Sequence, residues 1–261
     1  FSYFVSMQSH GSNYYAKKRS RTANGTSWLN KERTRMRPYY FLFKIKNARV
    51  HRKALLYALY AESLLKKADW SYLSDDPFSD NDLASIKKTF NLNYNKDIRL
   101  LTKRFPKTLE NEPTTTIDNV SAWTDKTTEP YQNSYFYICT ETYYHGDHKS
   151  LTEKVFKPIG NYQPFLFLAF RHSLAQLKDL GFKTFHPYID ESYDNEHDVA
   201  ERIKMIVKEV KKLCSMSQNE IHDWHWSMQD ILEHNRNHLV NIYKDEPLTK
   251  NFITFFHKRS K

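Results

Sequence analysis

Two cysteines in 261 residues, Cys139 and Cys214, are too few for a disulfide framework. Both stand in apolar or helical surroundings and read as ordinary thiols of a reducing compartment, which points to a cytoplasmic protein. No apolar run approaches membrane-spanning length. The longest, PFLFLAF at 164–170, suits a buried strand. Glycine is scarce at five residues, against 18 tyrosines and 17 phenylalanines, a bias that speaks of the coding genome more than of mechanism. There is no internal repeat and no low-complexity tract. The first residue, Phe1, already stands in strand-like FSYFV with neither Met nor a signal pattern, as expected of a fragment of a longer protein.

One segment lacks acid. Between Lys17 and Lys53 there are 13 Lys and Arg and a single carboxylate, Glu32, while the remainder carries 27 basic and 29 acidic residues. The net charge of +10 therefore belongs to one stretch, which favours a local anion-binding face over a general solubility device; a solvated basic loop is the plain alternative.

Hydrophobic pattern then sets the elements. YYFLFKI (39–45) reads as a buried strand, KALLYALYAESLLKKA (53–68) as a helix, and 81–90 as a shorter helix. A polar stretch with Pro106, Pro113 and TTT runs to about Pro130 and is the candidate inter-domain region. Strands at 134–140 and 164–169 alternate with helices from about Thr152 and at 174–180, the latter closed by Gly181 as a C′ residue. KTFHPYI offers a further strand. IDESYDNEHDVAERIKMIVKEVKKL and the His-rich stretch at 217–243 read as helices. The alternation predicts an α/β fold with a parallel sheet.

Ligands of parallel sheets bind outside the carboxyl ends of the strands. Glu141 ends one strand, and Thr152, Glu153 and Lys154 open the next helix, so all four belong to one rim. A helix N-terminus with a lysine attracts phosphate, and a carboxylate such as Glu153 can hold paired ribose hydroxyls. The other reading is a helix cap, with Thr152 as N-cap and an acid in the first turn, which is the commoner arrangement for this spacing. DESYDNEHD (190–198) lacks the glycine and ligand spacing of a calcium loop and reads as a turn and a helix start. His222, His225, His234 and His238 lack the cysteine or carboxylate that would complete a zinc site and read as packing or surface residues.

SYFYICTET, LTEKVFKPIGNYQPFLFLAF and LKDLGFKTFHPYIDESYD, in this order, resemble the nucleotide-sugar domain of a glycosyltransferase group common in phage and bacterial genomes. They are distantly similar to the α-1,3-fucosyltransferase donor domain, and KNARVHRKALLYALY also looks like the phage-type group. The likeness covers about Tyr39–Leu65 and Ser134–Leu213, and it departs from the family pattern at Ala48 and Val50. It implies two Rossmann-like lobes (GT-B-like): an acceptor-side lobe at 1–129, truncated if upstream sequence is missing, a nucleotide-sugar lobe at 130–213, and helices at 214–261 packing back across both. It implies that Glu153 and Lys154 meet the ribose and diphosphate of a sugar donor, with Glu141 and Thr152 lining the same pocket. Asn47, Arg49 and Arg52 would reach in from the facing lobe. It implies no metal or other cofactor. The acceptor would be a surface glycan or a hydroxymethylated base in DNA. For the general base the histidines on offer are His10 and His51. A second class remains open, a non-catalytic nucleic-acid-binding protein using the basic 17–53 segment.

Overall fold

The computed structural model describes residues 32–74, 78–92, 94, 96–102, 105–109, 129–145 and 151–244. Within them the chain runs β1 (Tyr39–Ile45), α1 (Val50–Ala61), β2 (Ala68–Tyr72), α2 (Asp80–Phe90), α3 (Arg99–Thr102), α4 (Glu129–Gln132), β3 (Ser134–Thr140), α5 (Glu153–Gly160), β4 (Phe165–Leu168), α6 (Ser173–Asp179), α7 (Val199–Ser215), α8 (Gln218–Trp226) and α9 (Gln229–Lys244). The four strands form one parallel sheet in the order β2-β1-β3-β4. The expected α/β class with a parallel sheet is thus what the chain adopts.

Sequence dictates this through burial. Every residue of β2, β3 and β4 is buried, and β1 is buried except for Tyr39 and Lys44. Strands covered on both faces need the near-continuous apolar runs seen here. Right-handed crossovers leave β1 in one direction and β3 in the other, which puts α1 and α5 on opposite faces. On one side α1 packs with α2 and α7; on the other α5 packs with α9.

Two differences from the expected layout bear on the site. The boundary expected at 129/130 runs through this sheet: Phe41 of β1 pairs with Phe136 of β3, so strands assigned to separate lobes are neighbours. The described residues form one sheet rather than two lobes. In addition, the helix expected to run to Ala68 stops at Ala61. Ser63 takes a left-handed conformation (φ 60°), a short 3-10 turn follows at Leu64–Lys67, and Ala68–Tyr72 becomes a strand. KTFHPYI forms turns rather than a strand, and the long acidic stretch divides into a 3-10 turn at Ser192–Asn195 and α7, which Asp198 caps through Ala200 N.

Candidate functional site

The strand order reverses between β1 and β3, so the crevice at their carboxyl ends is the switch point where open parallel sheets take ligands. Into it lead the loop from β1 into α1 and the loop from β3 into α5. Glu141 stands at the centre. It is fully buried, and a buried carboxylate is tolerated only when bonded and paired. Its Oε1 accepts from Thr152 N (2.8 Å) and Thr152 Oγ1 (2.8 Å), its Oε2 accepts from Thr142 N (3.0 Å), and Lys154 Nζ lies 3.6 Å from Oε2. Lys154 also donates to Thr152 Oγ1 at 2.8 Å.

Glu141 therefore orients its neighbours instead of lining a pocket with open oxygens, which corrects the expectation for this residue. Thr152 sits at the N-cap position of α5 yet makes no side-chain cap bond, because its hydroxyl is turned to Glu141. The simple capping account of this motif does not describe what Thr152 does. Glu153 opens α5 by its backbone; its side chain lies outside the described part of the structure.

The main chain of the same residue is held from β1's side. Glu141 O accepts from His51 Nε2 (2.9 Å) and from Arg52 Nη2 (3.2 Å), and Arg52 also reaches Thr140 O (3.3 Å) and Asn47 O (3.1 Å). Asn47 and Arg49 are exposed in the loop entering α1. Asn47 and Arg49 thus come from the loop, and Arg52 from the helix, that follow the neighbouring strand of the same sheet, a correction to their expected origin in a facing lobe. The N-terminus of α1 has no acid in its first turn and no side-chain cap, while Arg49 and Arg52 add full positive charges. Cations at the positive end of a helix repel the macrodipole, so this end favours an anion.

His51 is fully buried, and its ring stacks on Tyr144 with centroids 4.1 Å apart. Burial, with Arg52 and Arg49 nearby, pushes its pKa down to about 3. Because a carbonyl accepts from Nε2, the proton sits there and the ring is neutral. This geometry holds the loop and gives the ring no open route to a substrate hydroxyl. His10 lies outside the described residues.

Sequence reasoning missed two residues here. Arg202 on α7 is buried and donates to Tyr144 O (3.1 Å), Ala169 O and Glu196 O (2.7 Å), tying together the loops that leave β3 and β4. The pattern hid it as one more cation in a Lys- and Glu-rich helix. Tyr144, which carries the His51 stack, gave no signal beyond being aromatic. Elsewhere, His234 and His238 engage Gly181 O and Leu180 O through Nε2 at 3.0 and 2.7 Å, in keeping with packing roles.

The basic segment is also less open than its composition implies. Of its described cations, Arg37, Arg52 and Lys53 are buried. Arg37 donates to Ser134 O (2.7 Å), and burial pushes its guanidinium down to about 10. Lys53 pairs with Asp82 at 2.8 Å. Residues 1–31 lie outside the described part. Among the described residues no helix is long and apolar enough to cross a membrane.

Comparison of the chain with protein-family models, with curated proteins and with solved structures finds no match.

Proposed function

We propose that the protein is a glycosyltransferase that moves a sugar from a nucleotide-sugar donor to an acceptor hydroxyl without a divalent metal. The observation that carries this reading is the meeting of two helix N-termini, α1 with Arg49 and Arg52 and α5 with Lys154, at the strand switch point around one buried carboxylate. That constellation suits a diphosphate: helix N–H groups and fixed cations stabilise the charge that develops as the diphosphate leaves. Glu153, at the first position of α5, would meet the ribose. The described sheet would be the donor-binding lobe, and a facing acceptor lobe would supply the base that deprotonates the acceptor hydroxyl.

A non-catalytic nucleic-acid binder is favoured less, because Arg37 and Lys53 turn their charges inward. The test is a thermal-shift screen of UDP-, GDP-, CMP- and dTDP-sugars, followed by turnover in EDTA. One donor class should raise the melting temperature, and turnover should persist in chelator. No stabilisation by any donor would end the reading; activity lost in EDTA and restored by Mn²⁺ would end its metal-free form.

A further inference from the structure

The loop leaving β3 displays one aromatic side chain and fixes the residues on both sides of it. Tyr143 is 46% exposed, one of three large apolar side chains that are open among the described residues, with Met36 and Leu100. Met36 precedes β1, and Leu100 lies in α3; Tyr143 alone stands in the switch-point loops. On its N-terminal side, Thr142 N donates to Glu141 Oε2 at 3.0 Å. On its C-terminal side, Tyr144 is clamped twice: its ring stacks on the buried His51, and its carbonyl accepts from the buried Arg202 at 3.1 Å. The backbone carrying Tyr143 is therefore pinned at both neighbours by groups that are themselves buried.

An exposed tyrosine on an anchored backbone is a surface prepared before its ligand arrives, and preorganisation lowers the cost of binding. An aromatic side chain in a loop tied to two cations through Glu141 matches a ligand with a flat π-system joined to phosphates, and every nucleobase has a π-face that stacks on tyrosine. The cations are in place: Lys154 is bonded through Thr152 to Glu141, two residues before Tyr143, and Arg52 holds the Glu141 carbonyl. We infer that Tyr143 is the stacking platform for the nucleobase of a nucleoside diphosphate whose phosphates lie toward Lys154 and Arg52. The inference rests on the donor-binding reading above and adds a base subsite to it. It also assigns Arg202 and His51 the work of holding that platform still.

The test is calorimetric titration of the full chain with UDP, GDP, dTDP, inorganic pyrophosphate and a single-stranded oligonucleotide, on wild type, Tyr143→Ala and Tyr143→Phe. Loss of a base-stacking aromatic weakens binding by about fivefold or more. Tyr143→Ala should lose that much affinity for the nucleoside diphosphate that binds wild type, keep its affinity for pyrophosphate, and keep its melting temperature. Tyr143→Phe should bind like wild type. Equal nucleotide affinity in wild type and Tyr143→Ala overturns the base subsite alone, as does a parallel loss for pyrophosphate. Binding of single-stranded oligonucleotide through Tyr143, with no mononucleotide bound, also overturns it. Wild type that binds neither pyrophosphate nor any nucleoside diphosphate overturns the donor reading together with it.

Discussion

Lys154 has two tasks that one substitution cannot separate. It balances the buried Glu141 carboxylate, and under the proposed function it also faces the diphosphate. Lys154→Met should cost about 1–2 kcal/mol of stability by leaving that carboxylate without its cation. It should also weaken donor binding at least tenfold, as loss of a charge-assisted contact of about 1.5–3 kcal/mol does. Adding Glu141→Gln removes the stranded charge. The double variant should therefore recover most of the melting temperature and none of the donor affinity, measured by calorimetry on both. If affinity returns with stability, Lys154 only balances Glu141. The histidines give a second prediction at this scale. Burial holds His51 near 3 and His225 well below the usual imidazole range. Both are neutral when folded, and both gain a proton when unfolded below about pH 6.5. Their contribution is therefore complete above that pH and is lost as pH falls toward the folded value. Between pH 6.5 and 4 His51 should remove about 1 kcal/mol per pH unit, His225 acts in the same direction, and His51→Asn should flatten the curve of melting temperature against pH over that window.

Among elements, the helix ends were legible where the signal was local and hidden where it was remote. Gly181 was readable as the C′ residue of α6, and it takes φ +88° with its amide bonded to Lys178 O at 2.9 Å. A Cβ there would sit 2.7 Å from His238 Nε2. Gly181→Ala should therefore destabilise by about 1 kcal/mol or more through backbone and steric strain together, as chemical denaturation would show. The other end of α6 was not readable. Its N-cap, His172, makes no side-chain bond, and the cap comes from Asp194, 22 positions on, which accepts from Ser173 Oγ (2.9 Å) and Leu174 N (3.1 Å). Asp194→Ala should cost about 1–3 kcal/mol in the same assay, because it leaves buried donors unmet. The same contrast explains the strands. β1 and β3 were legible to the residue because both are buried runs of aromatic and β-branched side chains. β2 was not, because Lys66 and Lys67 read as the basic last turn of a helix, while the break comes at Ser63, a residue type that carries no sequence signal for a left-handed turn. In the site, the Thr152–Glu141 bond joins two motifs that sequence could only place at one rim, and Arg202 acts through backbone carbonyls, which no pattern encodes.

For the molecule as a whole, the arrangement β2-β1-β3-β4 has a consequence for synthesis on the ribosome. The first βαβ unit, β1-α1-β2, is complete by Tyr72, but the inner edge of β1 must wait for β3, which pairs Tyr39 with Ser134, about 95 residues later. At about 5–20 residues per second that is a wait of roughly 5–20 seconds. During it a nearly all-apolar strand offers its unpaired amides and carbonyls to any neighbouring chain, the circumstance in which strands pair wrongly. The switch point that builds the site is thus also the seam of the sheet with the longest wait before closing, and nascent chains stalled before residue 134 should be the ones that chaperones hold and aggregates collect.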